Sequence, residues 1–220
     1  MARATYSLER AHGGVVAGVD EAGRGPLAGP VVAAAVILPA RRWPAGVADS
    51  KGLYADTREK LAARIRGCAC VGLGQASVAE IDELNIFWAT MLAMRRAIAA
   101  LECPPELVLV DGNADPRCGH PTRTVVAGDA ICLSIAAASI VAKVARDAIM
   151  TELHAAFPAY GWAENKGYGT PLHQRALREH GPSPHHRRRF RAVIAASESR
   201  AQQLNENRPV GPLTPESLAA

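Results

Sequence analysis

An α/β layered fold, with a mixed sheet and a helical C-terminal part, is what this sequence predicts. Short apolar runs that end at acids or turn residues alternate with long stretches of helical periodicity, and the series opens on two such runs close together. Val15 to Val19 is the first run, ending in Asp20-Glu21 and a Gly-Arg-Gly turn. Pro30 to Leu38, β-branched and closed by Pro39, is the second, and the pair reads as a hairpin. Thr57 to Arg66 has helical spacing, and Cys70 to Ala76 alternates as a third strand. Asn85 is placed to cap a helix from Ile86 to Leu101, which Pro104-Pro105 stops. Leu107 to Val110 is a wholly apolar strand running into Asp111-Gly112-Asn113, and Thr122 to Val126 is another, ending near Gly128-Asp129. Ala130 to Phe157 reads as a long helix, apolar nearly all round through Ala145 and therefore buried in its first half. A glycine- and aromatic-rich turn over Tyr160 to Gly169 leads to a short helix from Pro171 to His180 and a basic loop from Pro182 to Arg191. One domain over residues 1–197 and a loose, disordered tail over 198–220, rich in Glu, Gln, Asn and Pro, are expected.

Composition narrows the classes of function. The chain of 220 residues is 49% hydrophobic and 21% charged, and no segment approaches the ~20 unbroken apolar residues that span a bilayer. Met1 to Arg10 shows no apolar core of a secretory signal, so a soluble, cytoplasmic, monomeric protein is expected, with no membrane partner. The five cysteines are scattered without the paired spacing of a zinc site and read as reduced thiols. A formal charge of +4 permits a polyanionic partner but is common among proteins that bind none, so individual positions matter more than the total.

Asp20 and Glu21 are adjacent acids at the end of a buried strand, where alternation should send one side chain to each face. Glu21 can reach the same site as Asp20 from the turn, and converging carboxylates repel unless a cation or a proton is present. A solvated turn is the plain alternative. Asp111 and Asp129 also follow apolar strands, where the functional groups of α/β sheets gather. Read singly, Asp111 is equally a turn residue and Asp129 equally a helix cap. Four oxygen-bearing residues with no histidine or cysteine among them favour Mg²⁺ or Mn²⁺ over zinc.

Gly23-Arg24-Gly25 lets the backbone approach a ligand and offers a guanidinium for a phosphate or a sugar hydroxyl, although a hairpin turn accounts for it too. Lys51, in Asp49-Ser50-Lys51, is a weak candidate for a phosphate contact. Ser139, Lys143 and Asp147 share one helical face; Lys143 needs an anion to justify its place in a buried helix, and Asp147 one turn on supplies the plainer partner. Tyr168, between glycines, is suited to stacking on a base or sugar, or simply to packing. His173, His180, His185 and His186 lie among arginines and read as solvated rather than metal-binding.

Taken together, the stretches Gly18–Pro30, Asp49-Ser50-Lys51, Val110–Asn113, Ser134–Asp147 and Lys166–Thr170 resemble bacterial type 2 ribonuclease H, ribonuclease HII, in that family's order, over about Val15 to Phe190. The resemblance implies a ribonuclease H-like mixed sheet flanked by helices, with catalytic and metal-binding acids at Asp20, Glu21, Asp111 and Asp129 and Mg²⁺ or Mn²⁺ as cofactor. It implies that Gly23, Arg24 and Gly25 read a 2′-hydroxyl at an RNA-to-DNA junction, and that Tyr168 packs on the sugar of the following deoxynucleotide. Lys51, Ser139 and Lys143 become phosphate or active-site contacts. The implied partners are RNA/DNA hybrids and DNA duplexes containing ribonucleotides, cut by two-metal-ion hydrolysis to leave 3′-hydroxyl and 5′-phosphate ends. Gly52, Tyr54 and Arg189 depart from the family's pattern. A nuclease acting on DNA alone and a noncatalytic nucleic-acid binder are the competing classes; cleavage of all-DNA duplex, or salt-sensitive binding without metal-dependent cleavage, would tell them apart.

Overall fold

The structure, a computed structural model, describes residues 4–47 and 53–206, the last four by backbone alone. Its chain order is α1 (Ser7–His12), β1 (Val16–Ala22), β2 (Val31–Ile37), α2 (Ala55–Arg66), β3 (Cys70–Ala76), α3 (Val78–Ala99), β4 (Leu107–Asp111), β5 (Thr122–Val125), α4 (Leu133–Ala156), α5 (Trp162–Asn165), α6 (Pro171–His180) and α7 (Arg191–Glu206). The five strands form one sheet in the order β3-β2-β1-β4-β5. β1, β2 and β3 pair antiparallel, as the expected hairpin requires, whereas β4 and β5 run parallel to β1 and to each other. The sheet is therefore mixed.

Each face of the sheet carries one long helix. Val19, Val31, Ala33, Ala35, Val108 and Val110 pack with Ala89, Ala93, Met94 and Ala97 of α3 in one apolar cluster. Residues of the opposite parity face α4, among them Ala34 and Val36 with Ala137, Ile140 and Val141, and Val16 and Leu109 with Ile135. Contact with α4 is closest at Gly18, where a Cβ would stand 2.2 Å from the carbonyl carbon of Ser134. Only glycine lets the two backbones approach this far. A third cluster, built from Ala28, Met150, Tyr160, Trp162, Ala176 and Leu177, joins the helical C-terminal part to the end of α4.

Local sequence accounts for most boundaries. The long helix begins at Leu133 rather than Ala130, because Gly128–Ala130 forms a separate 3₁₀ turn; Asp129 lies in that turn and does not cap α4. The α3 region starts earlier than expected, at Val78, with a capping box in which the Ser77 hydroxyl accepts from Glu80 N and the Glu80 carboxylate accepts from Ser77 N. Asn85 nevertheless acts as a cap: at φ 67° it breaks the helix, and its side-chain oxygen accepts from the N–H groups of Phe87 and Trp88. The C-terminal correction is larger. α7 continues to Glu206, so residues 198–206, expected in a loose tail, are helical; Val193 and Ala196 of this helix are buried.

Candidate active site

β1 and β4 are in register, with Val19 beside Val110, so the next residues along, Asp20 and Asp111, stand side by side at the C-terminal limit of the parallel pairing; Asp111 ends β4, whereas β1 runs on through Asp20 to Ala22, paired with β2. Both have the parity of Gly18 and Leu109 and turn toward the α4 face. Asp20 is buried and Oδ1 accepts from Glu21 N at 2.7 Å. Burial raises its pKa well above the ordinary carboxylate range, the charges of Glu21 and Asp111 raise it further, and a hydrogen bond from Ser139 works in the opposite sense. Glu21 is raised too, first by burial and to a lesser extent by Asp111, while Arg24, whose Nη1 lies 3.3 Å from Oε1, opposes the shift. Asp111 accepts from the Gly128 N–H at 2.6 Å, tying the end of β4 to the 3₁₀ turn that carries Asp129.

Asp20, Glu21 and Asp111 are thus close enough to feel one another's charge, and Asp129 stands on the turn that Asp111 holds. Among the described residues no three His, Cys, Asp or Glu side chains converge tightly enough to hold a metal ion as they stand. The chemistry of the donor set still fits a hard divalent cation. It is all oxygen, and the like charges that push the Asp20 pKa up are those a cation relieves.

Beside these acids lies an open cleft of about 400 Å³ lined by Glu21, Gly23, Arg24, Gly25, Ser139, Lys143 and Tyr168, together with Arg58 and Arg146. Six of the expected site residues, from three separate stretches, therefore share one concavity with Glu21. Ser139 and Lys143 enter it from α4, and Lys143 also makes the foreseen pair with Asp147, Nζ to Oδ1 at 2.5 Å. Tyr168 is 48% exposed and its ring lies beside the Gly-Arg-Gly turn, with Cε1 3.7 Å from where a Cβ on Gly25 would be. Lys51 and the Asp49-Ser50 beside it lie outside the described residues.

Two features of the site escaped the sequence. Arg146 and Arg187 are buried and donate to main-chain carbonyls around the Gly-Arg-Gly turn, among them Ala28, Gly23 and Arg24. The only available signal was a basic residue amid the apolar and small residues of α4 for Arg146, and none marked Arg187 within its arginine run. The histidines need a correction as well, since His173 and His186 are fully buried rather than solvated. Ser183 N–H donates to His186 Nδ1, which leaves His186 Nε2–H to donate to His173 Nε2 at 2.9 Å and His173 Nδ1–H to donate to the Tyr168 carbonyl at 2.9 Å. Each ring is neutral in this chain of bonds, with burial lowering both pKa values and bringing that of His186 to about 3. Tyr168 is thereby anchored through its backbone.

A mixed five-stranded sheet with a helix on each face and acids side by side where its two central parallel strands stop pairing defines a ribonuclease H-like α/β protein. Comparison with known proteins is more specific. The family model described as Ribonuclease HII matches residues 17–193. Ribonuclease HII of Rhizorhabdus wittichii is 61% identical over 197 residues, covering 90% of this chain and 98% of its own. That of Granulibacter bethesdensis is 56% identical, over 84% of this chain and 88% of its own. Among solved structures, ribonuclease H2 from Pyrococcus horikoshii superposes with a TM-score of 0.73 at 27% identity, over 85% of this chain and 99% of that one. A ribonuclease HIII crystallised with Mn²⁺ matches with a TM-score of 0.68 at 18% identity, over 86% of this chain and 70% of its own, and shares the fold. The chain belongs to the ribonuclease HII family, and it is an enzyme of the ribonuclease H class.

Proposed function

We propose that this enzyme hydrolyses the RNA strand of RNA/DNA hybrids and cuts on the 5′ side of ribonucleotides embedded in duplex DNA, leaving 3′-hydroxyl and 5′-phosphate ends. The observation that carries the reading is the meeting, at the C-terminal limit of the β1–β4 pairing, of a mutually repelling acid group and the Gly-Arg-Gly turn flanked by Tyr168. Asp20, Glu21, Asp111 and Asp129 would hold the metal ions, Mg²⁺ or Mn²⁺, an assignment supported by the all-oxygen donor set and by the charge that accumulates at Asp20. Bound there, two such ions supply Lewis-acid stabilisation of charge on the scissile phosphate and lower the pKa of water.

The chain's own residues supply orientation. Ser139 keeps Asp20 in place by hydrogen bonding, and Arg24 steadies Glu21 while its exposed guanidinium remains near the cleft mouth. Lys143 brings positive charge to the phosphate backbone of the bound strand. Tyr168 offers a ring face on which a sugar packs, its main chain anchored by His173. Ribonucleotide and deoxynucleotide differ at the 2′-hydroxyl, and a glycine-flanked turn that brings backbone donors close to the sugar suits reading it. The test is cleavage of a DNA duplex containing one ribonucleotide, beside an all-RNA/DNA hybrid and an all-DNA duplex, with Mg²⁺ and with chelator. Metal-dependent cuts 5′ of the ribonucleotide and none in all-DNA are expected; cleavage of the all-DNA duplex would overturn the reading.

A further inference from the structure

The loop that carries Gly23-Arg24-Gly25 is gripped from behind. Arg187 is fully buried and donates to the carbonyl oxygens of Gly23 at 2.6 Å, Arg24 at 2.9 Å, Gly29 at 2.9 and 3.0 Å and Pro30 at 3.3 Å. Its planar fork therefore spans both the start and the end of the loop. Arg146, equally buried, donates to Ala28, Pro30 and Lys166 oxygens at 3.0 to 3.1 Å and so links the same loop to the Tyr168 turn. No ion pair to a carboxylate within 4 Å satisfies either guanidinium among the described residues. Two like charges are thus held side by side with main-chain carbonyls as their hydrogen-bond acceptors, Arg187 also lying over the Phe190 ring at 5.2 Å, and burial opposes the arrangement by drawing both pKa values down, that of Arg187 to about 9.

Peptide geometry gives the grip a direction. In a trans peptide the carbonyl oxygen and the following N–H point opposite ways, and the chain has no cis peptides among the described residues. With the Gly23 and Arg24 oxygens turned onto Arg187, the N–H groups of Arg24 and Gly25 point away from it. Gly23, Arg24 and Gly25 line the cleft, Arg187 does not, and neither of those two N–H groups has a protein acceptor among the described residues. The carbonyl clamp leaves a pair of adjacent, oriented donors exposed to whatever occupies the cleft.

We propose that Arg187, supported by Arg146, is a positioning residue that aims the N–H groups of Arg24 and Gly25 at an oxygen of the bound ribonucleotide. The proposal rests on reading this cleft as the ribonucleotide site. Arg187→Lys, which keeps the charge but loses the fork, and Arg187→Met, which loses both, should be compared with wild type on a duplex holding one ribonucleotide and on a long RNA/DNA hybrid. A long hybrid presents a 2′-hydroxyl in every register and tolerates a loosened loop, whereas a single ribonucleotide does not. For Arg187→Lys, kcat/KM on the single ribonucleotide should fall about tenfold, the loss of one or two well-aimed hydrogen bonds, and the ratio of single-site to hybrid cleavage should fall at least threefold. Melting curves fix an assay temperature at which each variant is folded; if Arg187→Met does not fold, the lysine variant alone decides. An unchanged ratio, whether both activities fall together or neither does, would overturn the positioning role. Failure of the wild-type enzyme to cut at a single ribonucleotide would instead overturn the reading of the site.

Discussion

Asp20 is the residue at which stability and the proposed metal role pull in opposite directions. It is an acid whose folded-state pKa is raised, so between the unfolded value of about 4 and the raised one the native state binds the extra proton. Stability of the metal-free protein therefore declines as pH rises through that window, as ionised Asp20 comes to face Glu21 and Asp111 without a cation. Replacing it by a neutral isostere, Asp20→Asn, is expected to raise the Tm of metal-free protein at pH 8 while lowering Mg²⁺-dependent cleavage about a hundredfold or more, several kcal/mol of lost charge stabilisation. Calorimetry and a gel assay on the same preparation check both halves, and near-wild-type cleavage would remove Asp20 from the metal role. At Tyr168 the expectation is milder. Tyr168→Ala should weaken cutting at a single ribonucleotide by about tenfold, within the range of one lost stacking contact, and leave the fold intact because the ring is half exposed. An unchanged junction preference would rule out the stacking role.

Among the elements, β1 and α4 carry the site between them, and their distance is set at Gly18. A methyl group there would meet the α4 backbone at 2.2 Å, and backbone does not move aside as a flexible side-chain end does. Gly18→Ala is expected to cost about 3 kcal/mol, the upper end for overpacking, in urea denaturation, and to lower cleavage because Asp20 and Ser139 sit two and five residues beyond the contact points on the two elements. Much of this level was legible in the sequence: the hairpin and the parallel strands follow short apolar or β-branched runs, the third strand alternates, and the Asn85 cap is where the side-chain chemistry places it. Ser77 was missed because Val78 to Leu84, bracketed by two caps, makes only two turns, too short for periodicity to stand out. α7 was missed because its polar composition resembles a tail; packing against α6, as of Ala196 with Ala176 and Leu177, holds it helical.

For the molecule as a whole, the helical C-terminal part is a second support for the loop of the site, and its weak point is titratable. His173 and His186 are buried neutral, so the unfolded chain takes up protons that the native state refuses between pH 6.5 and the lowered folded values. Their contribution is present above about pH 6.5 and is lost as pH falls, at about 1.4 kcal/mol per pH unit for each histidine. A Tm series from pH 7.5 to 4.5 in the presence of Mg²⁺ should therefore show a decline below pH 6.5 that is shallower in His186→Gln; an identical slope would show that the pair does not govern acid stability.

The sequence by itself determined the sheet, its long flanking helices and Asp111 at the exit of its strand, because each is written in local periodicity or in residue types with few conformational choices; it placed Asp20 and Glu21 at a strand end, whereas pairing with β2 carries β1 on to Ala22. It left Asp111 and Asp129 as turn or cap against site, and Lys143 as paired or functional, because such residues look alike until distant stretches meet. The tertiary structure decided which of them share a cleft. It alone turned an arginine run and a histidine cluster into buried supports for the loop, since whether a polar side chain faces water or a carbonyl depends on packing between residues more than 100 positions apart, as between Arg187 and Gly23.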